Sequence, residues 1–440
     1  MTATTADRRG VRRILANIGW LGLERVIRSA TALLVTVWIA RHLGPGDFGQ
    51  LNIAQAVVAA AMPIASYGLS GILVRDLVRE PETRDELLSA ALLLRVCGIG
   101  LASIVTLVYA RFFAQVPSEQ TTLILILSTS FLSLLADTVE CDYQARLQNG
   151  YLVAIKTGFF GVSTILKILL LLNKSSVLAF AWVMASESLL IALGLWVLAR
   201  VQHRGFTLKP SRVMLMRLLR QGWLFFWVAI LGSVYRRLDQ LMLGYLSDPQ
   251  QVGVYSAAWK LLEAVSYGPY LAITALAPAL AAAHRDSAAS FRASFMQATR
   301  WLFWPLAGIS LLGMLAAGLL IPLGFGQHYA PAIRLFEVLI WVLPVYALHL
   351  LGIQWATNEH RADYLVGQGL AALSCCLALG LWLIPKFGGL GAAWSVLGSQ
   401  VFSTLLWAAC WPVGRDILRL QLAGLVPGRW RTFAGSGLSP

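Results

Sequence analysis

The chain has 440 residues, 58% of them apolar and only 13% charged, with 35 Lys and Arg against 21 Asp and Glu and a formal net charge of +14. A mean hydropathy of +0.69 at that length excludes a soluble globular protein, because so few charges would leave an insoluble surface. Bias between loops and attraction to anionic lipid headgroups account for the basic excess, so it gives no argument for a nucleic-acid partner.

Twelve apolar runs approach the roughly 20 residues that an α-helix needs to cross the hydrocarbon. In chain order they lie at 14–40, 50–74, 90–112, 121–140, 151–173, 176–198, 221–246, 253–282, 300–325, 331–356, 363–384 and 390–411. The tightest connections are Asn173-Lys174-Ser175 and Lys386-Phe387-Gly388-Gly389, and without either hairpin the count would be ten. The first run is too long and too charged for a cleavable secretion signal and is expected to stay. Lys and Arg collect in alternate loops, 23 on one side against Arg41, Arg111, Lys174 and Lys386 on the other. By the positive-inside rule both termini are expected in the cytoplasm.

The chain also repeats itself. Leu43-Gly44-Pro45-Gly46-Asp47-Phe48-Gly49 aligns with Ser247-Asp248-Pro249-Gln250-Gln251-Val252-Gly253 at an offset of 204, so that Pro45 matches Pro249 and Gly49 matches Gly253. Ala181-Trp182 echoes Ala393-Trp394 at an offset of 212. These echoes predict an all-α integral membrane protein of 12 transmembrane helices in two six-helix halves around a central cavity. An even number of spans per half gives both halves the same orientation, so their pseudo-twofold runs along the membrane normal. The expected organisation is a cytoplasmic N-terminus (1–13), an N-terminal half (14–198), a cytoplasmic linker (199–220), a C-terminal half (221–411) and a cytoplasmic tail (412–440).

Charges inside spans are expensive, at about 2.5–3.5 kcal/mol each, and usually face a bundle interior or a watery cavity. Here eight bases and six acids lie at membrane level, and many fall on equivalent helices of the two halves. On the first helix Asn17, Glu24, Arg28 and Thr31 share one face, with Arg25 about 100° away. The second helix offers Asn52 and Gln55; the seventh Arg236, Arg237 and Asp239; the eighth Lys260, Glu263, Tyr267 and Tyr270. Arg95, Asp137, Lys167, Glu187, Arg334 and Glu337 complete the set. One reading lets Glu24 with Arg28, Arg236 with Asp239 and Lys260 with Glu263 neutralise one another and merely hold helices together. The excess of cations favours a cavity that accepts an anion such as a phosphate, which Arg binds through directed hydrogen bonds. Trp20, Trp259, Tyr267 and Tyr270 would then stack on sugar rings or simply pack.

Little suggests other chemistry. Cys97, Cys141, Cys375, Cys376 and Cys410 have no metal or disulfide spacing, and His349, the one histidine deep in a span, reads as a hydrogen-bonded structural residue. No Gly-rich phosphate loop points to ATP, and the outer loops, only about 4–12 residues long, carry no paired carboxylates of a transferase or polymerase. A multidrug exporter would favour an acidic cavity.

Several segments carry a family resemblance: Ala40-Arg41-His42-Leu43-Gly44-Pro45 with Phe48-Gly49; Arg237-Leu238-Asp239 with Met242-Leu243-Gly244; Val252-Gly253-Val254-Tyr255-Ser256-Ala257-Ala258-Trp259-Lys260-Leu261 with Glu263; and Phe387-Gly388-Gly389-Leu390-Gly391-Ala392-Ala393-Trp394. The chain resembles, over about residues 12–412, the bacterial polysaccharide (O-antigen-type) flippases of the multidrug/oligosaccharidyl-lipid/polysaccharide exporter superfamily. The resemblance implies translocation of an undecaprenyl-diphosphate-linked oligosaccharide to the outer leaflet by alternating access. It also implies membrane lipid as surroundings, a polysaccharide polymerase or glycosyltransferases as partners, and no enzymatic activity, cofactor or metal. Arg28, Arg237, Asp239 and Lys260 match positions where that family places charges. The expected substrate-binding residues are therefore Arg25, Arg28, Asn52, Gln55, Arg236, Arg237, Lys260 and Tyr267. Glu24, Asp239 and Glu263 would supply ion coupling or charge balance. The alternative is an ion-coupled exporter of another amphipathic substrate in the same superfamily.

Overall fold

A backbone inside hydrocarbon must satisfy its own hydrogen bonds, and the apolar runs do so as helices. The computed structural model describes residues 5–112, 119–202, 207–209, 211–359 and 361–426, with side chains from Arg28 onward except at 362 and 413. In chain order the helices are α1 (Thr5–Ser66), α2 (Ser70–Arg79), α3 (Arg84–Phe112), α4 (Glu119–Ser128), α5 (Leu134–Ala145), α6 (Asn149–Leu172), α7 (Val177–Val201), α8 (Arg212–Tyr235) and α9 (Leu238–Leu246). There follow α10 (Pro249–Asp286), α11 (Ala288–Phe325), α12 (Ala332–Leu339), α13 (Val342–Asn358), α14 (Ala362–Phe387), α15 (Gly389–Val401), α16 (Trp407–Cys410) and α17 (Pro412–Leu425). Among the described residues there is no strand, and 11 helical stretches are long and apolar enough to cross a membrane. The first of these, Arg28–Arg79, contains a break: Gly44 sits at φ 75°, ψ 171° and joins two helices of α1 in series. Both tight hairpins form, the first turning at Lys174 (φ 49°) and the second at Gly388 (φ 56°).

Several expected spans are broken rather than continuous. The 121–140 span passes from α4 to α5 through a 3₁₀ segment at Thr129–Ser133, and the 390–411 span carries a π segment at Phe402–Leu406. The 221–246 span breaks at Arg236–Arg237, where Arg237 leaves the helical region at φ −124°, ψ −1°. At 1.5 Å per residue, the 38-residue helices α10 and α11 run well past the hydrocarbon on the side of the basic loops.

The repeated turns meet each other. A Cβ added to Gly49 would lie 1.7 Å from the Pro249 carbonyl oxygen, and one added to Gly253 would lie 1.9 Å from that of Pro45. Residue i thus meets j′ while j meets i′, the reciprocal pattern of a twofold interface. The second echo agrees, since Ala181 and Ala393 are fully buried while Trp182 and Trp394 are 56% and 49% exposed. Around this seal one apolar core joins residues from both repeats, including Phe48, Tyr255, Phe325 and Tyr329. Tyr329 Oη also donates to Ala40 O at 2.8 Å.

On the opposite face the repeat boundary is not the packing boundary. Ser211 Oγ caps α8 by accepting from Met214 N, and the first turns of that helix bury Met214 and Leu218 among Leu69, Leu73, Leu87 and Leu88 of the N-terminal half. Asp85 Oδ2 accepts from Thr207 N at 3.2 Å and Thr207 Oγ1 at 2.6 Å, while Lys209 N donates to Ser89 Oγ at 3.0 Å. The Arg217 guanidinium grips both oxygens of Glu80 at 2.6 Å, which holds that carboxyl below its ordinary value. Deeper along α8, Tyr67 stacks on Phe226 with centroids 4.7 Å apart, and Ser233 Oγ donates to Ala59 O at 2.8 Å.

Candidate functional site: charges at membrane depth

Three pairs of membrane-level charges neutralise themselves. Arg95, fully buried, donates to Asp137 and Thr138, and Ser70 Oγ donates to the same Asp137 oxygen at 2.8 Å. Lys167 Nζ meets Glu187 at 2.8 Å, with Ser163 donating to the same oxygen. Both clusters tie helices of the N-terminal half to one another, α2 and α3 to α5 in the first and α6 to α7 in the second. They are struts between helices. Lys260 Nζ meets Glu263 Oε2 at 3.1 Å one turn along α10, with both side chains partly exposed.

The seventh span behaves differently. Asp239 is buried and accepts a hydrogen bond from Tyr255 Oη, across from α9 to α10. It makes no ion pair with Arg236 or Arg237 within 4 Å, so the Arg236–Asp239 pairing of the self-neutralising reading does not form. The helix break explains why: it turns Arg236 and Arg237 out of the register that would place a base three residues before Asp239 on one face. Arg237 reaches only Gln240 Oε1, at 3.4 Å. The exposed Arg236 side chain makes no hydrogen bond or ion pair with any described residue, and it lies near the Tyr346 hydroxyl.

Other expected site residues are placed as follows. Arg28 is partly exposed on α1, whereas the side chains of Asn17, Trp20, Glu24 and Arg25 lie outside the described residues. Asn52 is buried and donates to Phe48 O of its own helix at 2.7 Å, and Gln55 Nε2 approaches Met184 Sδ at 3.0 Å, turned toward α7. Tyr267 and Tyr270 are 43% and 52% exposed on α10, while Trp259 stacks on Tyr255 with centroids 6.1 Å apart. The hydrogen bond expected of His349 is missing at Nδ1, which is buried with no partner among the described residues, and the ring stacks on Tyr346. All five cysteines are free.

Sequence reasoning missed Tyr255, although the residue lies inside a repeated segment. At the offset of 204, Asp239 and Tyr255 correspond to Val35 and Leu51, which are both buried. One half therefore fills these positions with hydrocarbon and the other with a carboxyl and a phenol. Packing alone does not require that exchange. Comparing the two repeats position by position for polar against apolar residues would have found it. Nearby, Tyr235 Oη reaches Ser399 Oγ and Gln400 Oε1, both at 3.4 Å, which extends the polar contacts to α15.

The family model described as "Polysaccharide biosynthesis protein" matches residues 14–284. A protein of Escherichia coli (strain K12) named "Putative O-antigen transporter" is 23% identical over 412 residues, covering 89% of this chain and 94% of that protein. Two solved structures share the fold. "Lipid II flippase MurJ, inward closed conformation" superposes with a TM-score of 0.71 at 11% identity, covering 95% of this chain and 93% of that one. An inward-facing multidrug resistance MATE family transporter of the MOP superfamily gives 0.65 at 14%, covering 93% and 96%.

Proposed function

Given that the chain belongs to the polysaccharide biosynthesis protein family of multi-pass membrane flippases, we propose that it moves undecaprenyl-diphosphate-linked oligosaccharide from the cytoplasmic to the outer leaflet of a bacterial inner membrane by alternating access. The observation that carries this reading is the state of Arg236 and Arg237. At the break between α8 and α9 neither guanidinium group forms an ion pair with a carboxylate among the described residues, and Asp239 is engaged with Tyr255. A cation kept at membrane depth without an acid is costly. A diphosphate supplies the missing counter-charge, and the planar guanidinium fits its oxygens in pairs.

Arg28 and Lys260 extend the basic surface on α1 and α10, Arg25 lies on the same first helix, and Tyr267 offers a ring to the sugars. Glu263 balances Lys260. Asp239 and Glu263 are the candidates for ion coupling, Asp239 foremost because its counterpart in the other half is the apolar Val35. Two negative charges leaving an inside-negative cell gain about 2.3 kcal/mol each per 100 mV, so the potential alone contributes roughly 4–5 kcal/mol. A polysaccharide polymerase or glycosyltransferases would act before and after the flip.

The test uses proteoliposomes loaded with lipid-linked oligosaccharide, with the potential and the proton or Na⁺ gradients imposed separately. Arg236→Ala combined with Arg237→Ala should abolish flipping while the protein still inserts and melts normally, and Asp239→Asn should uncouple flipping from the ion gradient. Unchanged flipping by the arginine variant would leave these residues a structural role only, and a rate indifferent to every gradient would end the coupling assignment.

A further inference from the structure

The described residues surround a cavity of about 420 Å³ in the C-terminal half, on the face of the repeated turns, and one of the in-span bases, Arg334, lines it. Asp248, Gln250, Gln251, Arg334 and Phe387 form its walls, with Leu335 below. The cavity is held in shape by a specific joint. Gln251 Oε1 accepts from Gly389 N at 2.8 Å, and Gly388, at φ 56°, leaves room for that oxygen where a Cβ would lie only 1.8 Å away. Asp248 fixes the other wall by capping α10, accepting from Gln251 N at 2.8 Å. Within this frame three groups remain available: Arg334, exposed and without a hydrogen bond or ion pair to any described residue; the exposed amide of Gln250; and the ring of Phe387, 57% exposed.

We infer that this cavity holds a single sugar ring of the glycan as it leaves the protein, which rests on the flippase reading and deepens it. A pyranose has an apolar C–H face and a rim of hydroxyls, each both donor and acceptor. The C–H face lies on Phe387, the hydroxyls accept from Arg334 and Gln250, and Asp248 takes a hydroxyl proton in a hydrogen bond. The cavity falls in the range of about 300–1,000 Å³ usual for small-molecule sites. Asp248 stands against the alternative of a bare phosphate, since its carboxylate would repel the anion that Arg334 attracts. Pro249, between Asp248 and Gln250, is also the residue whose carbonyl closes on Gly49, so a bound ring sits on the turn that seals the passage.

Saturation-transfer NMR on the full-length protein in lipid nanodiscs, with the methyl pyranosides of glucose, galactose, rhamnose and N-acetylglucosamine as probes, tests the site. At least one should receive transfer at its C–H face. Phe387→Ala and Arg334→Ala should each weaken that binding about five-fold or more, the effect of losing roughly 1 kcal/mol. Phe387→Trp should restore it. No transfer from any probe, or transfer indifferent to Phe387→Ala and Arg334→Ala, would overturn the assignment. Sugar binding with these signatures in a protein that fails to flip lipid-linked oligosaccharide would keep the cavity and reject the flippase reading. Flipping without sugar binding would do the reverse.

Discussion

Replacing Gly253 with alanine puts a methyl carbon 1.9 Å from the Pro45 carbonyl oxygen, and the obstacle is backbone rather than a side chain that can swing away. The two turns must separate by about 1 Å to reach even a tight contact of about 3 Å, and overpacking of this kind costs roughly 1–3 kcal/mol. Because the contact exists only when the two halves meet at these turns, the penalty falls on the sealed state and not on the open one. The population open on this face should therefore rise about 5- to 150-fold. A cysteine at Tyr267 in a cysteine-free background, labelled in whole cells by an impermeant maleimide, reads that population as a rate. Gly49→Ala should act alike through Pro249, and the double variant should add little, since both methyls press apart one interface. An unchanged labelling rate in a Gly253→Ala protein of native melting temperature would show that these turns do not close the passage.

Three further outcomes are expected. Glu80 is held below its ordinary value by Arg217, so its contribution is complete above about pH 4.3 and fades as the pH falls through the lower folded value; Glu80→Gln should flatten the acid side of a melting-temperature profile, and parallel profiles would refute the clamp. Asp137→Ala leaves the fully buried Arg95 without its acid and should cost on the order of 3–5 kcal/mol in detergent melts, while Arg95→Met combined with Asp137→Ala should recover most of it; equal melting of the single and double variants would contradict the strut. Single cysteines at Gly46 and Asp248 should react with an impermeant maleimide from outside the cell, and reaction only after permeabilisation would reverse the proposed orientation.

The helices were readable because hydrocarbon leaves the backbone few options, so that apolar length alone places them. The repeated turns were readable because Pro45, Gly49, Pro249 and Gly253 are needed by the geometry of the contact and have few substitutes. Other features leave weaker traces. The break at Arg236–Arg237 contains neither glycine nor proline, so no local conformational preference marks it. Asn52 and Gln55 fit a polar face on spacing, but spacing does not reveal which neighbour that face meets, and both turned toward protein. Charge counting treated the in-span bases as one population, whereas pairing divides them: Arg95 and Lys167 are consumed by acids on neighbouring helices, and that depends on contacts distant in sequence. The Asp239–Tyr255 bond leaves its trace elsewhere, in the contrast with the apolar pair Val35 and Leu51 of the other half.

The burial of Met214 and Leu218 in the N-terminal half's core means that the sequence repeat and the packing units are out of step. A cut in the linker would yield neither repeat whole: the first fragment would lack the plug that fills its core, and the second would begin with a greasy stub. Helix α8 starts the second repeat in sequence, yet its first turns are lodged in the first, like a splint laid across a joint. Arg236 and Arg237 stand at the far end of that splint, where the helix breaks.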